Sequence, residues 1–176
     1  PKSSIIMKYL TDIAKCYGNE HKTMKWNTPS KFYVNQNYFI QNIKRIKTKI
    51  GTSTVKLSLN EETDEVNSNK STRSFAANFV HSLDAANVHL ALDKSNKQGL
   101  KNFTTIHDCF GSTAADIEEF ISCVKQSFVE MYTSNVLDDL YDQSVMQLDK
   151  PRKLPTPPDL GEFNICEVLD ALYVFS

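Results

Sequence analysis

Asp108 stands beside His107 where two short apolar runs meet, Phe103-Thr104-Thr105-Ile106 and Cys109-Phe110-Gly111. A carboxylate at the tip of such a hairpin is held rigidly and left exposed. Mg²⁺ takes oxygen ligands and keeps several waters, so one or two carboxylates plus a substrate phosphate suffice to bind it. The competing reading is an Asp that stabilises the turn through its own side chain. His81 and Asp84 lie three residues apart on a predicted helix and so project from one face. Such a pair can orient an imidazole for hydrogen bonding near a phosphate, or form a plain polar surface. His21 and His89 have no comparable partner pattern.

A third group is the cationic run Lys44, Arg45, Lys47 and Lys49 between Ile43 and Ile50. It belongs to a wider asymmetry. Residues 1–56 hold eleven Lys/Arg against two acids, a net of +9, and residues 57–176 hold nine against nineteen, a net of -10. A polyanion partner for the first part explains this split; two solvated faces of opposite sign explain it equally.

Other chemistries are excluded by the residues present. Cys16, Cys109, Cys123 and Cys166 are scattered, without the close ligand pairs of a zinc site. They are read as reduced thiols of a cytosolic or matrix-like compartment, because a chain of this length builds a core without disulfides. There is no Gly-rich phosphate loop and no Gly-x-Ser-x-Gly elbow. Cys109 and His107 do not make a nucleophile dyad, since neighbours along a strand alternate between its faces. The 176 residues are 40% apolar and 23% charged, which fits a globular domain and excludes wholesale disorder. No run approaches the ~18 apolar residues of a membrane-spanning helix. Lys outnumbers Arg 17 to 3 and there are 14 Asn, a bias expected of AT-rich coding. The first residue is Pro1, so the true beginning of the chain is expected upstream.

The elements that must position these residues are legible from periodicity. Ile5, Ile6, Tyr9, Leu10, Ile13 and Tyr17 predict a helix over 4–17 that stops at Gly18. Trp26 and Pro29 predict an irregular stretch, with a strand near Phe32–Val34. Ile43–Ile50 and Val55–Leu59 predict a hairpin about Gly51, and 60–72 a polar loop. A second helix is expected over 74–96, with Phe79, Leu83, Ala86 and Leu90 inside and Gly99 closing it. Thr113-x-x-Asp116 resembles a capping box for a helix whose stripe is Ile117, Phe120, Ile121, Val124, Phe128 and Tyr132. A further helix is expected over 135–148, then a Pro-rich connector over 151–158, then an apolar tail from Asn164 to Phe175 docked on the body.

Several segments in order resemble the single-subunit, bacteriophage-type RNA polymerases, the family that includes the mitochondrial enzymes. Phe103 to Gly111, with Ala114-Ala115-Asp116, is similar to that family's motif C, the palm hairpin that bears its second metal-binding aspartate. Asn78-Phe79-Val80-His81-Ser82-Leu83-Asp84 is similar to the helix just upstream. Lys25-Trp26-Asn27-Thr28-Pro29, Leu140-Tyr141-Asp142-Gln143 and the terminal Phe175-Ser176 complete the set. Ala77 departs from a frequent Pro and Asn87 from a common His, while Cys109 in place of Ser is familiar in mitochondrial members.

The resemblance implies an α+β, helix-rich fold, the C-terminal portion of a right-hand polymerase. Residues 1–74 would be a fingers-side portion with the basic strands, 75–150 the palm with its motif C hairpin, and 151–176 a connector and C-terminal foot. It implies DNA-directed RNA synthesis with Mg²⁺ as cofactor and DNA template, nascent RNA and ribonucleoside triphosphates as partners, together with the remainder of the polymerase chain and an initiation factor. Asp108 would be the catalytic, metal-holding carboxylate. His81 would lie at the minor groove of newly formed pairs, where a donor checks geometry without reading sequence. His107, Asp84 and Phe175 would support the site. From their charge, and not from the resemblance, Lys44, Arg45 and Lys47 are expected to meet nucleic-acid phosphates. The first aspartate (motif A) and the Lys/Tyr helix (motif B) are not found in this chain, so it is expected to be inactive alone. The alternatives are a catalytically incomplete remnant that binds nucleic acid and, less favoured because Cys109 stands where Glu is usual, a related DNA polymerase. AT-rich coding and His-Asp-Cys point to a mitochondrial setting, with plasmid or viral origins as alternatives.

Overall fold

The computed structural model describes residues 2–106 and 109–172 and shows a mixed helix and strand fold. Helix α1 (Lys2–Asn19) leads into the short hairpin β1 (Met24–Asn27) and β2 (Tyr33–Gln36). A long hairpin follows, β3 (Phe39–Ile50) and β4 (Ser53–Val66), and then helix α2 (Ser68–Lys97). The hairpin β5 (Phe103–Ile106) and β6 (Cys109–Ser112) precedes α3 (Ile117–Thr133) and α4 (Val136–Gln147). Each pair of strands is its own antiparallel two-stranded sheet.

Two apolar cores are threaded by α2, which at 30 residues is about 45 Å long. Its first half buries Phe75, Ala76, Phe79 and Leu83 against Tyr9, Leu10, Ile13, Ala14 and Tyr17 of α1, and against Met24, Trp26, Leu140, Leu148 and Leu154. Trp26 fixes this core: its ring meets Phe75 edge-on at 5.4 Å and its Nε1 donates to Ser82 Oγ at 2.9 Å. The second half of α2 brings Ala91 to Leu100, Phe120, Cys123 and Val124. That smaller core is where the β5–β6 hairpin is fastened.

Several expectations are corrected by the structure. Helix α1 runs through Gly18 to Asn19. Its stop is His21 at φ 52, which lets Lys22 N donate to Tyr17 O at 3.1 Å. Gly18 serves close packing instead, since a Cβ there would lie 3.2 Å from Ser68 Cβ. Ile5 and Ile6, counted in the apolar stripe, are exposed. Trp26 sits in a regular strand, because residues 24–27 alternate buried and exposed against β2. The stretch 60–72 is not a loop. Asn60, Glu61 and Glu62 pair with Ile43, Asn42 and Gln41, and α2 already begins at Ser68, capped by Asn67 accepting from Lys70 N. Leu90 is only half-buried; Ala91 and Ser95 take the inner face. The capping box does not form: Asp116 is the N-cap residue without a side-chain cap bond, and Thr113 Oγ1 donates to its carboxylate at 2.9 Å. In α3, Ile121 is exposed while Cys123, Ser127 and Met131 are buried, so the stripe is rotated towards smaller residues.

The Pro-rich connector forms no α-helix, as expected, and has a 3-10 turn at Pro151–Lys153; the described part of the tail has another at Ile165–Leu169. The tail's attachment is polar. Lys125 Nζ donates to the carbonyls of Leu169 (3.2 Å) and Ala171 (2.6 Å), whereas Leu160, Phe163 and Leu172 stay exposed.

Glu20 ties the end of α1 to the segment after α4. Its carboxylate accepts from Asp149 N at 2.9 Å and Lys150 N at 3.0 Å, with Lys22 Nζ 3.3 Å away. The Asp149 amide, then the Lys150 amide and Lys22, hold this carboxyl below its ordinary value of 4.5. A carboxylate depressed by folding contributes stability that is present above the unfolded value and lost as pH falls through the folded one. The urea midpoint of the wild type should therefore fall on acidification below pH 4.5 more steeply than that of Glu20→Gln. Parallel curves for the two proteins would show that the Glu20 contacts add nothing.

Candidate active site and nucleic-acid interface

The β5–β6 hairpin owes its position to alternation. Thr105 pairs with Phe110 and Phe103 with Ser112, so Phe103 and Phe110 share one face, while Ile106, Cys109, Thr104 and Gly111 share the other. Phe103 stacks on Phe120 at 5.8 Å with the rings 7° from parallel, and Phe110 meets the same ring edge-on at 6.1 Å. The opposite face opens outward: Ile106 and Cys109, the last described pair, are both exposed. His107 and Asp108 lie outside the described residues, as does Phe175.

Helix α2 brings Asp84 to this hairpin. Asp84, Asn87 and Val88 line a small cavity of about 40 Å³ together with Phe110, Phe128, Met131 and Tyr132. Burial foremost, and then the Asp84 carboxylate, push the Tyr132 hydroxyl above its ordinary value, so it remains a protonated donor. Asn87 is buried in the same region and accepts from Ser127 Oγ at 3.2 Å. His81 is exposed one turn before Asp84, on the other side of Ser82. It makes no hydrogen bond among the described residues and borders a separate cavity of about 480 Å³ with Thr28, Phe32, Asn78 and His89.

The β1–β2 connection is packed back onto α2 at this point. Thr28 is buried and exchanges hydrogen bonds with Phe32: Thr28 N donates to Phe32 O at 2.9 Å and Phe32 N to Thr28 Oγ1 at 3.2 Å. Lys31 takes φ 65, a left-handed conformation that a side-chain-bearing residue adopts at a cost of roughly 1–2 kcal/mol. At the far end of β2, Gln36 is buried; it donates to Ser71 O (3.0 Å) and Ser71 Oγ (2.9 Å) and accepts from Asn78 Nδ2 (2.8 Å). This network roots the long hairpin on α2.

Beyond that root the β3–β4 hairpin is a free-standing ribbon about 40 Å long. It bends at a bulge between Phe39 and Gln41 and turns at Gly51, whose φ of 63 the tight turn requires. From 41 to 62 every residue is exposed except half-buried Thr48 and Val55. Register sorts its side chains. Arg45 pairs with Ser58, Lys47 with Lys56 and Lys49 with Thr54, so one face carries four cations and two hydroxyls. Ile46 with Leu57, Thr48 with Val55 and Lys44 with Leu59 make the other face apolar, and Lys44 is ion-paired to Glu61. Thus Arg45 and Lys47 are brought together with Lys49 and Lys56, whereas Lys44 points away from them. Among the described residues none of those four cations is in an ion pair. Lys47 and Lys56 lie directly opposite each other, which costs stability unless an anion lies over them.

Among the described residues there is no cluster of three or more His, Cys, Asp or Glu side chains able to hold a metal, and no helix is long and apolar enough to cross a membrane. The sequence reading missed Lys56 and His89. Lys56 is found only through strand register, and His89 through a loop 59 residues away that sets Ser30 Oγ 3.4 Å from its Nδ1.

Comparison with known proteins gives these surfaces a setting. The family model described as DNA-dependent RNA polymerase matches residues 2–153. The chain is 32% identical over 174 residues to DNA-directed RNA polymerase 2, chloroplastic/mitochondrial, of Arabidopsis thaliana, covering 97% of this chain and 16% of that protein. It is 34% identical over 171 residues to DNA-directed RNA polymerase 3B, chloroplastic, of Nicotiana tabacum, covering 97% of this chain and 17% of that one. For DNA-directed RNA polymerase 1, mitochondrial, of Nicotiana sylvestris, the identity is 32% over 171 residues, covering 97% and 16%. The chain thus spans about one sixth of the length of the curated relatives it matches. With its ordered motifs and a family match over most of its length, this chain belongs to the single-subunit, phage-type DNA-dependent RNA polymerases.

Proposed function

We propose that this chain is the C-terminal part of a DNA-directed RNA polymerase and supplies one metal-holding carboxylate and a nucleic-acid surface to the complete enzyme. The reaction is attack of the RNA 3′-hydroxyl on the α-phosphate of a ribonucleotide, with release of pyrophosphate. The observation that carries this reading is the joining of the β5–β6 hairpin to α2 at Phe110 and Asp84. It keeps the residues flanking Asp108 beside the helix that bears His81.

Asp108, directly bonded to exposed Cys109, is the group we assign to hold Mg²⁺. A carboxylate is a hard oxygen ligand suited to that ion, and its partner is assigned to the family's motif A aspartate, which is not found in this chain. When bound, the metal neutralises charge that develops on the phosphate oxygens. Asp84 and His107 are assigned to support the hairpin, and His81, exposed and without a hydrogen bond among the described residues, to face the minor groove of the new pair. Phe175 is assigned to the C-terminal foot. Residues 1–74 are assigned to the fingers side, 75–150 to the palm and 151–176 to the connector and foot. The relatives' chloroplastic and mitochondrial names, with the coding bias, favour a mitochondrial location.

Arg45 and Lys47, with Lys49 and Lys56, are assigned to phosphates of the nucleic acid; Lys44, on the opposite face and ion-paired to Glu61, is left out of that set. The alternative that the isolated chain binds nucleic acid without catalysis is favoured by the same ribbon and by the chain's one-sixth share of its relatives. Both are tested together. The complete polymerase containing this segment should extend a primer with ribonucleotides in preference to deoxyribonucleotides; the reverse preference would favour the DNA polymerase reading. For the chain alone, duplex affinity should fall steeply with salt, by about 0.9 log unit per log unit of salt for each phosphate neutralised. Replacing Lys47 and Lys56 by Gln should lower that slope by up to about 2, and an unchanged slope would remove the ribbon from the interface.

A further inference from the structure

The loop from Thr28 to Phe32 is folded on itself so tightly that Lys31 is forced to φ 65, and the outcome is that Phe32 presents its ring to solvent, 58% exposed. Across from it, α2 carries His81, Ala85 and His89 at i, i+4 and i+8, one ridge on which the two imidazoles stand about 12 Å apart along the axis with a methyl group between them. The Phe32 and His89 rings are 5.8 Å apart and tilted by 58°, and Ser30 Oγ lies 3.4 Å from His89 Nδ1. That contact leaves Nε2 as the ring edge for an outside partner. Between these groups is the cavity of about 480 Å³, lined further by Val34 and Ala86.

An exposed aromatic face, an apolar lining and an oriented imidazole suit a flat heterocycle with polar edges. Charge selects which kind. Among the described residues no carboxylate lines this cavity, whereas the neighbouring one of about 440 Å³ is bordered by Asp139 and Asp142. The strand that forms its wall, β2, runs directly into the ribbon whose unpaired cations Arg45 and Lys47 suit phosphates.

We propose that the cavity between the β1–β2 loop and α2 receives one unpaired nucleobase of a single nucleic-acid strand, stacked on Phe32 and hydrogen-bonded at its edge by His89. This rests on the nucleic-acid reading above and extends it: a strand leaving the duplex at His81 has a resting place two helical turns further on. Because every base has a π-face, the site tolerates all four.

The test uses the purified chain and 12-nucleotide single strands, ribose and deoxyribose, each with one 2-aminopurine. Binding should quench the 2-aminopurine emission. Phe32→Leu should weaken binding about tenfold or more and abolish the quench, Phe32→Trp should retain both, and His89→Gln should weaken binding several-fold. An abasic residue in place of 2-aminopurine should weaken the wild type but not Phe32→Leu. Circular dichroism of each variant confirms its fold. If all variants bind within twofold of the wild type and emission is unchanged, while affinity still falls with salt, the base site is refuted and the ribbon assignment survives. If the wild type shows no salt-dependent binding at all, the nucleic-acid reading falls and this site with it. Displacement by free adenosine monophosphate as effective as by unlabelled strand would overturn the strand assignment. The sugar that gives the stronger quench identifies the strand as RNA or DNA.

Discussion

Asp108→Asn in the complete polymerase should abolish ribonucleotide extension, slowing single-turnover addition by about 10³-fold or more, while template affinity stays within about twofold. Asn keeps the shape of the carboxyl group and one carbonyl oxygen but loses the negative charge that a hard divalent cation requires. Stabilisation of phosphoryl charge by a bound metal is worth several kcal/mol, and each 1.36 kcal/mol is a factor of ten in rate. Template affinity is spared because the cations of the ribbon and the face of α2 are untouched. Quench-flow extension and filter binding on the same preparation separate the two effects. Extension within tenfold of the wild type would remove Asp108 from the metal site, and an equal loss of template binding would point to misfolding.

Phe120→Ala should destabilise the chain by about 3–5 kcal/mol, the usual cost of truncating a fully buried aromatic side chain. Phe120 is 1% exposed, and both Phe103 and Phe110 pack on its ring. Its removal opens a void under the β5–β6 hairpin, and an isolated two-stranded hairpin is marginal in water. The urea midpoint should drop sharply. In the complete enzyme at a temperature where the variant stays folded, extension should fall while binding to the ribbon remains. Phe120→Leu, which keeps apolar volume, should recover part of both losses. A stability change under 1 kcal/mol would mean that the hairpin is held by something other than this ring.

Much of the helix framework was legible because its burial repeats at helical spacing: Tyr9, Ile13 and Tyr17 in α1, and Phe79, Leu83 and Ala86 in α2. The hairpin about His107-Asp108 was legible from two β-rich runs, and β5 and β6 occur where they were expected. What escaped were elements not stabilised by burial. The second half of β4, nearest the root, is polar and acid-rich, with no face to hide, so only its pairing with Gln41–Ile43 reveals a strand. The first turn of α2 begins at a side-chain cap on Asn67 within a polar run that reads as loop. Gly18 looked like a stop and is a contact, because what it meets, Ser68, lies 50 residues away. For the site, residue types were visible but their assortment was not. Four adjacent basic positions on one strand read as a single patch, yet the pleat sends Lys44 to the apolar face and recruits Lys56 from the opposite strand. The apposition of Phe32 and His89 depends on a strained loop that no local pattern announces.

The threading of both cores by α2 has a mechanical consequence. A continuous 30-residue rod with Phe75 and Phe79 seated in one core and Ala91 in the other cannot fray from either end without loosening its seat there. The ribbon's root at Ser71 and Asn78 and the hairpin's neighbour Asp84 sit on the same rod. On the proposed assignments, force applied to the ribbon by bound nucleic acid would be delivered along a stiff axle to the hairpin beside it, and the distance between ribbon and hairpin is set by helical rise rather than by loops.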